Sequence, residues 1–198
     1  MESKKESARV RLTKQMLRQA FTSLLMEKPI QNITVRELCE KAQVNRGTFY
    51  THYADIYDLM ESIESQMTQQ LGLVIKELNV SLKNENGLLE AYCHVFEFLK
   101  QNSDMCIILL GENSDFAFLN RLLAMGKDYS LKQYMEAYPQ ATPKQAEYFY
   151  SFISSGCIGL LRQWMANNFR DSTRSVAVMA QNLVLGAVRA LTIHVEWG

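Results

Sequence analysis

Three helix-start signals crowd into one short run of this chain, TVRELCEKAQVNRGTFYTHYAD, at Thr34, Asn45 and Asp55. Thr34 is followed three residues later by Glu37, the spacing of a capping box, and Ile33 and Leu38 stand where a hydrophobic staple would close over it. Asn45 repeats the arrangement, with Val44 and Phe49 as its staple. Asp55 opens a third helix, with Asp58 one turn on to meet the positive end of the helix dipole. Caps this close leave room for a helix of only about two turns between Asn45 and Asp55. Phe49 and Tyr53, four apart, can anchor that helix on its neighbours. Arg46, Thr48, Tyr50, Thr51 and His52 are then left on its other faces.

The rest of the chain reads as helix too. Leu12, Met16, Ala20, Leu24 and Leu25 recur at three-to-four spacing and predict an amphipathic helix over about 8–27, closed by Pro29. A long helix is expected from Asp55 to about Asn79, with Leu59, Ile63, Met67 and Leu71 as its inward stripe. Further helices are predicted at about 87–101, 103–111, 115–137, 142–168 and 172–196, separated by ENSD, AYPQATP and NFRDS. Only nine Gly and three Pro occur, and long stretches lack both, so an all-α fold of about nine helices is expected. The last two helices have apolar surfaces too broad for a single covered face. They form either the centre of the body or a four-helix interface with a second copy. In the second case Phe152, Gly156, Leu160 and Trp164 meet Met179, Leu183, Ala187 and Leu191.

Charge and motif content narrow the function. The net charge is zero, but residues 1–54 carry ten basic and five acidic side chains, so +5 at one end faces −5 over the remainder. The four cysteines are far apart, with no metal-ligand spacing, and neither a metal nor a cofactor is expected. The first twelve residues lack an apolar signal region, and no uncharged apolar run is long enough to span a membrane, so a cytoplasmic protein is expected. No Gly-rich phosphate loop, HExxH or serine elbow is present, and His52, His94 and His194 lie in unrelated segments. An all-α enzyme is therefore the remote alternative.

A helix, a tight turn and a short polar-faced helix next to a basic segment describe a helix-turn-helix, whose second helix enters the major groove of DNA. Arg46 can pair guanine O6 and N7, and Asn45 can do the same for adenine. Thr48, Tyr50, Thr51 and His52 offer contacts to phosphates or thymine methyls. Gly47 belongs to the same segment, and Thr34 starts a helix whose N-terminus can hold a phosphate, with Arg36 in its first turn.

The run ITVRELCEKAQVNRGTFYTHYADIYDLMESI closely resembles the DNA-binding region of TetR/AcrR-family transcriptional regulators. Thr34, Ala42, Val44, Asn45, Gly47, Thr48, Phe49, Tyr50, His52, Tyr53, Asp55 and Leu59 carry the resemblance, which covers about residues 8–63. There are two departures. Gln43 stands where the turn usually has Gly, and Ile56 stands where the family usually has a phosphate-contacting Lys. The run FISSGCIGLLRQWMANN resembles the dimerising end of a Firmicutes-type branch. The resemblance implies a DNA-binding domain at 1–55 and a regulatory and dimerisation domain at 56–198. It also implies a homodimer on a pseudo-palindromic operator of double-stranded DNA, a repressor released by a small-molecule effector. Tyr92, Phe96, Met105, Phe116, Met125, Tyr129, Phe149 and Phe152 are candidates to line its pocket, with His94 and Tyr148 as polar anchors; ordinary core packing is the competing account of each. A regulator, repressing or activating, that answers to a protein partner instead of a small ligand is the alternative.

Overall fold

The computed structural model describes residues 7–77, 85–111 and 116–193, and for a few of these, Met105 and Phe116 among them, the backbone alone. Nine α-helices occur among the described residues: α1 (Ala8–Glu27), α2 (Val35–Ala42), α3 (Arg46–Tyr50), α4 (Ile56–Glu77), α5 (Glu85–Gln101), α6 (Ser103–Leu110), α7 (Phe116–Ala137), α8 (Pro143–Ala166) and α9 (Thr173–Ala187). Single 3-10 turns follow α1 and α9, at Ile30–Asn32 and Val188–Leu191. The all-α expectation holds. The ENSD linker and residues 194–198, into which the final helix was expected to run, lie outside the described residues. No helix among the described residues is long and apolar enough to cross a membrane.

The chain divides into two compact units that do not follow chain order. The first takes the residues up to Thr68 together with Asp104–Asp115, and the second takes the rest. The core of the first unit is drawn from five helices: Leu17, Phe21 and Leu24 of α1, Leu38 of α2, Phe49 of α3, Leu59 of α4 and Ile108 of α6 are all fully buried. Each such side chain contributes about 1.5–3 kcal/mol relative to exposure. Arg18 of α1 and Asp104 in the first turn of α6 form an ion pair within this unit, Nε to Oδ2 at 2.6 Å. Neither atom meets hydrogen-bond geometry, so the contact is Coulombic and not an aligned hydrogen bond.

In the second unit, α8 starts on a complete capping box: Thr142 Oγ1 accepts the Gln145 N–H and Gln145 Oε1 accepts the Thr142 N–H, with Pro143 at the first helical position. The Gln145 amide also donates to the Ile193 carbonyl at 2.7 Å, tying the start of α8 to the chain beyond α9. Tyr134 meets Phe149 edge to face at 4.9 Å, and Ile153, Val184 and Leu191 complete this core. The final helix was expected to run to about 196, but regular α geometry ends at Ala187 and gives way to a 3-10 turn that buries Leu191.

Two expected interface residues therefore change role. Leu191 is 1% exposed and Trp164 is 2% exposed, both inside the protomer's own core. Asn168 and Phe169 take left-handed backbone conformations just after α8. The chain thereby folds back, with the Phe169 ring against Trp164 at 5.0 Å and the Trp164 Nε1–H donating to the Asp171 carbonyl. The indole is held by its own chain and is not left for a second copy.

Candidate nucleic-acid interface and an internal cavity

The helix-turn-helix is assembled from short-range contacts. Thr34 caps α2 as expected, its Oγ1 accepting the Glu37 N–H at 3.2 Å. The reciprocal half of the box is missing. Glu37 turns its carboxylate to Lys28, whose ammonium donates to both oxygens at 2.7 and 2.6 Å. A second pair joins Lys41 to Glu27 at 2.8 Å, so the end of α1 and the length of α2 are tied twice. Such partly exposed pairs are worth about 0–1 kcal/mol each, so their main effect is to fix how α2 lies on α1.

The turn that follows is closed by Gln43 N–H to the Glu40 carbonyl and Val44 N–H to the Cys39 carbonyl. Gln43 sits at φ 54°, ψ 37°, the left-handed conformation a glycine would adopt without strain. At Asn45 the side-chain Oδ1 accepts the Gly47 N–H at 2.8 Å and caps α3. A Cβ on Gly47 would lie 3.3 Å from that oxygen, so the glycine keeps the cap uncrowded.

Phe49 and Tyr53 are the buried anchors of the short helix, their rings 5.7 Å apart. Above them Arg46 is exposed, with no carboxylate partner among the described residues, and Tyr50 is 52% exposed. Thr48 and His52 are half-buried, and Thr51 donates its hydroxyl to the Thr48 carbonyl at 2.6 Å. Arg46, Gly47, Thr48 and Tyr50 thus share one five-residue helix, with Asn45 as its cap and Thr51 and His52 in its C-terminal turn, while Thr34 and Arg36 stand at the start of α2. They are not on equal terms. Two-point pairing of adenine by Asn45 needs both amide atoms, and its oxygen is already taken by the cap. Arg36 is bound by Glu40 at 2.8 Å, and that carboxylate holds its guanidinium further toward the charged form.

The start of α4 has a feature that spacing alone did not reveal. Asp58 folds back to accept the Ala54 N–H at 2.7 Å, while Asp55 accepts the Asp58 N–H at 2.9 Å. Two carboxylates therefore occupy the helix N-terminus that would otherwise attract a phosphate. Ile56, where a phosphate-contacting Lys was missed in the sequence, is 5% exposed and belongs to the core.

A cavity of about 280 Å³ lies among α5, α7, α8 and α9, within the second unit. Of the eight expected lining residues, Tyr92, Phe96 and Tyr129 line it. Phe149 is instead buried in the core against Tyr134. Met125 and Phe152 are exposed away from the cavity, as are His94 and Tyr148, because the helical faces assigned to them turn to solvent. The side chains of Met105 and Phe116 lie outside the described residues. Missed by sequence reasoning were Leu88, Val95, Gly126, Ser130, Gln133 and Cys157. Gly126 and Ser130, four apart on α7, were the available signal, since small residues on one helix face leave space behind them. Tyr92 and Cys157 are hydrogen-bonded to each other; burial pushes the phenol far above its ordinary ionisation range and raises the thiol.

A second hollow, about 220 Å³ and almost wholly apolar, runs between α8 and α9. Phe152, Gly156, Leu160, Leu183 and Ala187 line it, and Met179 is exposed on α9. Phe152 is 68% exposed and Leu183 59% exposed, unusual for side chains of their size. Cys157 and Val184 line both the hollow and the cavity.

Comparison with known proteins matches residues 18–63 to bacterial regulatory proteins of the tetR family and residues 86–186 to a transcriptional regulator C-terminal region of the same family. An uncharacterized HTH-type transcriptional regulator, YxbF of Bacillus subtilis (strain 168), is 38% identical over 56 residues, covering 28% of this chain. The match spans only 15% of that relative's length. Among solved structures, the fatty acid degradation regulator FadR from Bacillus halodurans aligns with a TM-score of 0.69 at 15% identity, covering 94% of this chain and 99% of that one. The transcriptional regulator FadR from Bacillus subtilis, solved with stearoyl-CoA, aligns with a TM-score of 0.64 at 14% identity over 87% and 98%. At those identities the structural matches speak for the fold alone.

Proposed function

The chain belongs to the TetR family of DNA-binding transcriptional regulators, and from that premise we propose that it is a homodimeric repressor released from a pseudo-palindromic operator by a small molecule. The observation that carries this is α3: a five-residue helix fixed by Phe49 and Tyr53, with Arg46 and Tyr50 exposed on it. Arg46 pairs a guanine in the major groove, worth about 1–3 kcal/mol against a wrong base. Tyr50, Thr48, Thr51 and His52 contact phosphates or thymine methyls, and Gly47 lets the backbone approach. Thr34 and Arg36 mark the N-terminus of α2 as the phosphate-facing end, while Asn45 serves as the cap that orients α3. We take residues 1–55 as the reading head and 56–198 as the regulatory and dimerising part, although the first compact unit also holds α4 up to Thr68 and α6 from Asp104 on.

The apolar hollow on α8 and α9 supports the dimer, because a second copy would cover the exposed Phe152, Met179 and Leu183. The internal cavity supports control by a ligand, which acts through its differential affinity for the DNA-bound and free shapes. The structural neighbour solved with stearoyl-CoA is in keeping with a ligand held in a body of this fold.

Titrating the protein onto the DNA upstream of its own gene, by fluorescence anisotropy at several salt concentrations beside a scrambled duplex, tests this. Tight, salt-sensitive binding to the upstream DNA alone, at two protomers per site, is the expected result. Binding that is unaffected by Arg46→Ala and Tyr50→Ala would remove α3 as the reading helix. A stable monomer in light scattering would turn the apolar hollow into a surface for a different protein.

A further inference from the structure

The internal cavity holds more chemical information than its existence. No Asp, Glu, Lys, Arg or His lines it. Its ionisable groups are phenols and a thiol, and burial raises those of Tyr92, Tyr134 and Cys157, so they remain neutral near pH 7. Most of them are already engaged: Tyr92 with Cys157 and Tyr134 with Ser130. Gln133 is different. It lines the cavity half-buried, with no hydrogen-bond partner among the described residues. A charged group that leaves water for such a wall finds no counter-charge there, so the neutral form of a ligand is favoured.

Size sets a second limit. An apolar cavity of about 150 Å³ accommodates benzene. On that scale the 280 Å³ here corresponds to about eleven non-hydrogen atoms. A stearoyl chain exceeds that space, so much of its length would be left outside it.

Resting on the effector-controlled reading above, we propose that this cavity takes a neutral, mostly apolar molecule the size of a bicyclic aromatic, with one hydroxyl or carbonyl anchored by the Gln133 amide, and excludes acyl-CoA thioesters and other anions. Cys157 and Val184 form the wall shared with the hollow between α8 and α9, so an occupant bears directly on the packing of those two helices.

Isothermal titration of the full chain with 1-naphthol, 1-naphthoate and stearoyl-CoA tests the proposal. Naphthol and naphthoate share a ring system and differ in charge. One naphthol per protomer is expected, with naphthoate at least tenfold weaker and stearoyl-CoA without a cavity-dependent signal. Gly126→Leu should abolish naphthol binding. A Cβ added at Gly126 meets nothing within 4 Å, so the variant should fold, and its melting temperature and operator affinity report on that. Gln133→Leu should weaken naphthol severalfold.

Equal or tighter binding of naphthoate or stearoyl-CoA would overturn the proposal, as would naphthol binding that survives Gly126→Leu or no naphthol binding at all. Operator anisotropy in the same samples separates this from the broader reading. Stearoyl-CoA that binds and releases DNA would refute the neutral class and leave effector control standing. Naphthol bound at a Gly126-sensitive site, with operator affinity unchanged by it, would support the cavity chemistry and count against control through this cavity.

Discussion

The helix-turn-helix and the bundle of α5, α7, α8 and α9 are built from the same material, yet they use polar side chains in opposite ways. In the first, the polar groups are bound locally to backbone: Thr34 to Glu37, Asn45 to Gly47, Thr51 to Thr48, Asp58 to Ala54. Each partner lies within four residues, so these contacts form within the segment itself. Arg46 and Tyr50 are left exposed on α3. In the bundle the informative polar contacts cross between helices, as Gln145 to Ile193 and Tyr150 to the Leu123 carbonyl do. There the polar residues position helices around an unfilled space. A recognition surface needs little conformational freedom, since ordering it on binding would reduce affinity. A cavity that answers to a ligand needs helices that can repack.

The largest effect expected from breaking this contrast is at Phe49. It is fully buried and, with Tyr53, seats α3, so Phe49→Ala should cost about 3–5 kcal/mol of stability and abolish specific DNA binding. Urea denaturation beside operator anisotropy measures both. Arg46→Ala should do the reverse of that pattern: about 1–3 kcal/mol lost from operator binding, with the unfolding midpoint unmoved. A drop in stability of the same size would show that the guanidinium is structural.

Thr34→Ala removes a single cap and should lower stability by about 1 kcal/mol, leaving the Lys28–Glu37 pair in place. If that loss vanished at high salt, the ion pair and not the cap would be holding the start of α2. The smallest effect is a gain. Gln43→Gly relieves the left-handed strain and should stabilise by about 0.5–1 kcal/mol, read as a raised melting temperature. No change would mean that the turn's two backbone hydrogen bonds already hold Gln43 without penalty.

The capped starts, the short α3 and its anchors were legible in the sequence because each depends on residues a few positions apart. Even here one local expectation failed. Glu37 had two possible partners, the cap's own amide and Lys28, and only the packing of α1 on α2 brings Lys28 within reach. The same holds at Asp58, whose return to Ala54 depends on how the turn after α3 is folded.

The body was less legible. Amphipathic periodicity assigns a helix an apolar stripe, but a helix apolar on two sides has no preferred side until its neighbours are placed. That is why Trp164 and Leu191, equivalent in pattern to Leu160 and Leu183, turned out to be core, while Phe152 of the same α8 is exposed. It is also why, of the six aromatic and methionine candidates whose side chains are described, three line the cavity and three do not. What the sequence by itself determined is the helix count, the capped starts, the turn and the short α3 with its buried anchor, all set by interactions within one or two turns of chain. Which apolar face is core, which lines the cavity and which stays exposed was decided only by the tertiary structure. Burial is not directional, and periodicity cannot say which neighbour covers which side.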